Sequence, residues 1–130
     1  MPTASIAWAF RPAARGWEHL PADEVVWVDI RKFDDAWRLT DQYIGPGGLG
    51  GKDDRYGRVG RWFATRNYSD MLCVSLNAGQ VSFTDGRHRF SWLRDQGVGA
   101  LPLQVSPGSG SSLHRLVGSE KRVTVLVLRA

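Results

Sequence analysis

Val81-Ser82-Phe83-Thr84-Asp85-Gly86-Arg87-His88-Arg89-Phe90-Ser91-Trp92-Leu93-Arg94-Asp95-Gln96-Gly97-Val98 is the stretch on which the fold turns. Apolar residues alternate at Val81 and Phe83, Asp85-Gly86 interrupts, and Phe90, Leu93 and Gly97 follow at helical spacing. The order is strand, tight turn, helix. The first amides of a helix have no partner within it, and the peptide dipoles add partial positive charge there, so that end favours an anion. Arg87, His88 and Arg89 add cations to the same first turn. Each is unfavourable there by about 0.3 kcal/mol or more unless something negative sits among them. A phosphate held at Gly86 to Arg89 would supply that charge.

On the carboxyl side, residues 100–105 read as a strand with Pro102 near its start, and strand, helix, strand in succession suggests a right-handed crossover. A Gly/Ser loop (107–112), one helical turn (113–117) and a closing strand (122–128) with Val123, Val125 and Val127 alternating complete that half. On the amino side, residues 72–76 and 80–83 are two strands joined by hairpin chemistry at Asn77-Ala78-Gly79. Before them, residues 52–63 read as a helix entered through Asp53 or Asp54, with Tyr56, Val59, Trp62 and Phe63 on one face. Residues 44–51 are too glycine-rich for regular structure. A helix of two or three turns is expected from Phe33 through Ala36 and Trp37, with Asp34 and Asp35 near its positive end. Residues 25–30 and 5–10 read as strands. The class is α+β: a small mixed sheet with packed helices.

The chain has 130 residues, 42% of them hydrophobic, enough for one domain over 1–130. The net charge of +4 leans towards anionic partners, and lysine stands only at 32, 52 and 121, so the positive charge is mostly arginine. Arginine suits bidentate phosphate contacts, although a high-GC coding bias would produce the same composition. Cys73 is the single cysteine, which excludes an intramolecular disulfide and a four-cysteine zinc site. No stretch approaches the roughly twenty apolar residues of a membrane span, and a signal-peptide pattern is missing, so a cytoplasmic protein is expected.

Several candidate site residues follow. Thr84, Gly86, Arg87, His88 and Arg89 are the phosphate-binding set, with His88 moving a proton or positioning a phosphate oxygen and Asp85 orienting it. The loop around Gly47 and Gly48, with Lys52, Arg55 and Tyr56 after it, is either a flap over the site or a surface loop. It fails the Walker pattern because Pro46 replaces the first glycine and Asp53 follows the lysine. Asp53 and Asp54 either cap a helix, the commoner role, or hold magnesium against phosphates. Trp62, Phe63, Tyr68 and Trp92 are suited to base stacking, but at these spacings aromatics more often build a core.

Residues 81–105, with the Asp85-Gly86-Arg87-His88-Arg89 centre, resemble the ParB/sulfiredoxin-like superfamily, in which a Gly-x-His-Arg or Gly-x-Arg-Arg turn binds nucleotide phosphates. Within it, Tyr43-Ile44-Gly45-Pro46-Gly47-Gly48, Arg55-Tyr56 and residues 83–90 look like the plasmid fertility inhibition factors; the resemblance spans roughly 41–106. It implies binding of ATP or another nucleotide, ATPase and DNase activity, and DNA or the conjugation machinery as target. Sulfiredoxin chemistry is not expected, because Arg87 stands where that family has its nucleophilic cysteine. A partition protein's helix-turn-helix has no room before Ala130. The alternative is a module without enzymatic activity that senses a nucleotide or binds a protein and inhibits by occupancy.

Overall fold

A computed structural model describes residues 2–128. The chain runs β1 (Thr3–Ser5), β2 (Ala7–Ala9), β3 (Glu24–Asp29), α1 (Ile30–Trp37), a 3-10 turn (Pro46–Gly48), α2 (Arg55–Phe63), β4 (Tyr68–Asp70), β5 (Leu72–Asn77), β6 (Gln80–Asp85), α3 (Arg87–Asp95), β7 (Ala100–Val105), α4 (Gly110–Val117) and β8 (Val125–Val127). This is the expected α+β fold with a mixed sheet. The main sheet has the order β3-β7-β5-β6, with β5 and β7 parallel and the other neighbours antiparallel. Two small pairs, β1 with β8 and β2 with β4, lie apart from it.

The sequence explains the joints. Asp29 ends β3 and caps α1, its carboxylate accepting from the Lys32 amide at 2.9 Å. The helix therefore begins at Ile30, one turn earlier than Phe33 suggests, and buries Ile30, Phe33, Asp34 and Trp37, the spacing of one helical stripe. Asp34 thus lies on the buried face and not at the positive helix end. The rings of Phe33, Trp37, Phe83 and Phe90 meet at centroid distances of 4.9 to 5.5 Å and form the centre of the core. β5 and β6 close through the two-residue turn Ala78-Gly79, as the hairpin chemistry requires.

Other expectations change. β6 and β7 flank β5 and run in opposite directions, so α3 does not bridge two parallel strands; the parallel pair is β5 and β7. The strand expected over 5–10 divides at the buried Ile6, and the closing strand expected over 122–128 pairs only over Val125–Val127. There Leu126 faces inward and the two valines face out, the reverse of what the valine alternation implies. The Gly/Ser loop is shorter than expected, since α4 begins at Gly110, and the glycine-rich segment holds one 3-10 turn. β4 has no strand signal of its own and forms because it pairs with β2. No described helix is long and apolar enough to cross a membrane.

Candidate functional site

β6 delivers Asp85 to the sheet edge and Gly86 turns the chain into α3. Gly86 has φ +103°, and a Cβ there would meet Leu72 Cγ at 2.5 Å, so glycine is required by backbone and by space. No side chain caps α3, which leaves its first amides open to an anion. Just before the turn, Cys73 pairs with Asp85 and Val74 with Phe83, so Thr84 is the extra residue of a bulge. Its hydroxyl donates to the Cys73 carbonyl at 3.1 Å.

Successive helix residues point about 100° apart, and the three cations fan out accordingly. Arg87 Nη1 donates to the Gln42 carbonyl at 2.9 Å, while the Gln42 amide group pairs both ways with the Phe83 backbone at the edge of the sheet. His88 is buried, 8% exposed, and its Nε2 accepts the Lys52 amide at 3.0 Å. That bond fixes a neutral ring protonated on Nδ1. Burial, then the charges of Arg87 and Arg55, push the imidazole pKa below its ordinary value. Arg89 donates to Asp85 Oδ2 at 2.9 Å, to Ser69 Oγ at 2.9 Å and to the Asp70 carbonyl at 2.6 Å.

Only Arg89 and Asp85 of the expected set therefore share a surface. They line a cleft of about 410 Å³ between α2, β4 and the start of α3, together with Arg11, Arg58, Trp62 and Tyr68. Asp85 also pairs with Arg11, so one carboxylate links two guanidiniums across the cleft floor. Arg11 is held from the side by Gln104, a buried amide in the otherwise apolar β7, which accepts the Arg11 amide at 2.6 Å and donates to its carbonyl at 3.1 Å. Trp62 and Tyr68, weighed above as core, are 37% and 52% exposed.

The loop after α1 lies along the opposite flank of α3 and is fastened at both ends. Lys52 is tied to His88, and the Gly47 amide donates to Asp95 at 3.0 Å. Tyr56 adds a 2.6 Å hydrogen bond from its hydroxyl to Asp95 while its ring fills the space beside Gly48 (φ +88°), where a Cβ would meet it at 2.7 Å. Burial, then the Asp95 carboxylate, pushes the Tyr56 pKa up to about 12. Burial alone would raise the Asp95 pKa, but hydrogen bonds from Tyr56, Arg94 and Gly47 outweigh it and hold the group below the usual carboxylate range. Arg94 continues the network to Asp34 at 3.0 Å and to the Ile44 carbonyl at 2.7 Å, and Asp34 accepts from Tyr43 at 3.0 Å and Arg38 at 3.1 Å. Arg55, at the start of α2, is exposed, and its charge reaches the His88 ring.

Asp53 and Asp54 do not behave as the expected cap. Asp54 occupies the N-cap position of α2 without a side-chain cap bond, and its carboxylate pairs with Arg61 at 2.6 Å. Among the described residues no three His, Cys, Asp or Glu side chains gather where a metal ion would need them.

Residues 25–118 match the family model described as Plasmid Fertility inhibition factor, so the chain belongs to that family. It is similar in fold to a crystal structure of Oncogenic Suppression Activity Protein, a plasmid fertility inhibition factor solved as a gold(I) cyanide derivative. The TM-score is 0.59 at 22% identity, with 81% of this chain and 60% of that chain covered. This chain therefore spans less than two thirds of that protein's length. No curated protein matches it in sequence.

Proposed function

We propose, with membership of the plasmid fertility inhibition factors as the premise, that this protein binds a nucleotide through its phosphates at the turn opening α3 and in that form blocks DNA transfer between bacteria. The observation that carries the reading is the uncapped helix start: Gly86 turns the chain into α3 in a left-handed conformation, no side chain takes the first α3 amides, and Arg89 stands one turn on. The resemblance of residues 81–105 to the ParB/sulfiredoxin-like superfamily supports the same assignment.

ATP is the first candidate, and its phosphoanhydride would supply the chemistry of an ATPase; DNA cleavage is the companion activity. In this reading the α3 amides and Arg89 bind phosphate oxygens, Arg87 stiffens the turn through Gln42, and His88 keeps the loop at Lys52 against the helix. Asp85, half exposed and already within reach of Arg89, is the carboxylate available to orient a proton transfer. The protein acts in the cytoplasm on conjugating DNA or on the machinery that moves it.

Calorimetric titration with ATP and CTP tests this. Wild type binds one of them, and Arg89→Ala weakens binding by about tenfold or more, the loss of a charged hydrogen bond. Wild type that binds neither nucleotide, or a variant that binds as tightly, removes the reading. Inhibition by occupancy is the second reading, favoured by the engagement of His88 Nε2 with Lys52. Nucleotide binding without turnover in wild type, with transfer still blocked in a mating assay, would select it.

A further inference from the structure

β3 is an edge of the main sheet, and β7 is the strand that pairs with it. Pro102 of β7 stands opposite Trp27 and has no amide to give, so that pair exchanges no hydrogen bonds and Trp27 turns its own N–H and C=O away from β7. The Ser119 amide, which donates to the Trp27 carbonyl at 2.9 Å from outside the sheet, shows the same parity. Val25, two residues earlier in an unbroken register, therefore also turns its N–H and C=O outward. The chain at Gly118 and Ser119 covers the edge only at Val28 and Trp27. Neither backbone group of Val25 has a partner among the described residues, and its side chain is exposed. An open edge of this kind is a template for another strand.

The edge runs beside α4 along a groove of about 620 Å³, with Val25, Trp27, His114, Arg115 and Arg122 in its walls. Glu24 is the carboxylate in that lining, and both its oxygens are taken at the start of α4, by the Gly108 amide at 3.0 Å and the Gly110 amide at 2.8 Å. Arg115 and Arg122 are exposed and have no carboxylate partner among the described residues. We propose that this groove docks an extended acidic segment of a partner protein, which lies beside β3, pairs its backbone with the N–H and C=O of Val25 and sets its carboxylates against Arg115 and Arg122. Charge selects that occupant. A second copy of this chain pairing edge to edge across a two-fold would bring the same two arginines of each molecule together, whereas an acidic segment supplies the anions they lack. The groove shares no lining residue with the cleft at Arg89, so the proposal does not rest on the nucleotide reading.

The test is an NMR titration of the isotope-labelled full chain with a blocked peptide of alternating glutamate and valine, about seven residues long, the length of an ordinary strand. Beside it run a fully N-methylated version, which keeps the charge but donates no backbone hydrogen bond, and a version with lysine in place of glutamate. The glutamate peptide should shift the Val25 amide resonance saturably, and both controls should bind at least about tenfold more weakly. Replacing both cations, Arg115→Ala with Arg122→Ala, removes no internal hydrogen bond or ion pair; it should cost about tenfold in affinity and flatten its salt dependence. Val25→Pro deletes the outward amide and leaves the β3–β7 bonds in place, so it should weaken binding with little change in melting temperature. Equal binding of the N-methylated peptide would mean bare electrostatic attraction, and unchanged affinity in the double arginine variant would mean that these cations merely blunt the edge; either overturns the proposal. So does a Val25 resonance that ignores the glutamate peptide, or one that moves with protein concentration alone, the mark of self-pairing.

Discussion

The two flanks of α3 carry the same chemistry in opposite states. On the loop side, Asp34, Arg94 and Asp95 are nearly closed to solvent, with side-chain exposures of 9%, 11% and 16%, and their carboxylates receive donors from Tyr43, Tyr56, Arg38 and the Gly47 amide. On the cleft side, one half-exposed carboxylate, Asp85, serves two arginines and a third arginine has no partner among the described residues. A buried, hydrogen-bonded pair is architecture, even with Arg94 Nη2 left without a partner among the described residues, because removing one member leaves the other charge stranded in a poor solvent. A wet, undersupplied set exchanges its partner for another anion at small cost. The contrast separates what fixes the fold from what is open to a ligand.

The largest effect should come from the loop side. Asp34→Ala strands Arg94 and also removes the acceptor of Tyr43 and Arg38, and is expected to destabilise the protein by about 3–5 kcal/mol in urea unfolding. A loss no larger than that of a surface pair would erase the distinction between the flanks.

The same contrast explains what was legible in the sequence. The hairpin, β7 and the strand-turn-helix around Gly86 are specified by neighbouring residues, through turn chemistry and local periodicity, and all three form as expected. The polar partners are not local: Arg94 meets Asp34 across 60 positions, and Arg89 and Arg11 meet at Asp85 only once β2, β4 and β6 are in place. A signal was present in two cases. Asp34 occupies the i+4 position of the stripe Ile30, Phe33, Trp37, and Gln104 interrupts an apolar strand, and a polar residue in such a place needs a buried partner. The cations of the first α3 turn were legible as a charge excess, but their directions were not, since a helix separates three consecutive side chains whatever their charge.

A smaller effect should appear with pH. His88 holds the loop as a neutral acceptor, and its folded pKa lies below the ordinary 6.5. The unfolded chain therefore binds a proton that the folded chain refuses, so the contribution is present above about 6.5 and is lost as pH falls from there through the folded value. Melting temperature should drop between pH 7.5 and 5.5, and His88→Gln, which retains an acceptor for the Lys52 amide without a titrating ring, should flatten that part of the curve. An equal slope in the variant would place the pH dependence elsewhere.

The smallest change in stability should come from Asp85→Asn, within about 1 kcal/mol, because its carboxylate side chain is 50% exposed and its pairs are screened. The effect on binding should have the opposite sign. With the resident anion neutralised, Arg11 and Arg89 are left with an unmatched charge, so affinity for inorganic phosphate should rise and become more salt-dependent. If Asp85 also orients a proton in hydrolysis, turnover falls while binding strengthens, a split that separates its two roles. Destabilisation approaching that of Asp34→Ala, or weaker phosphate binding, would mean that Asp85 holds the cleft together rather than occupying it in place of a ligand.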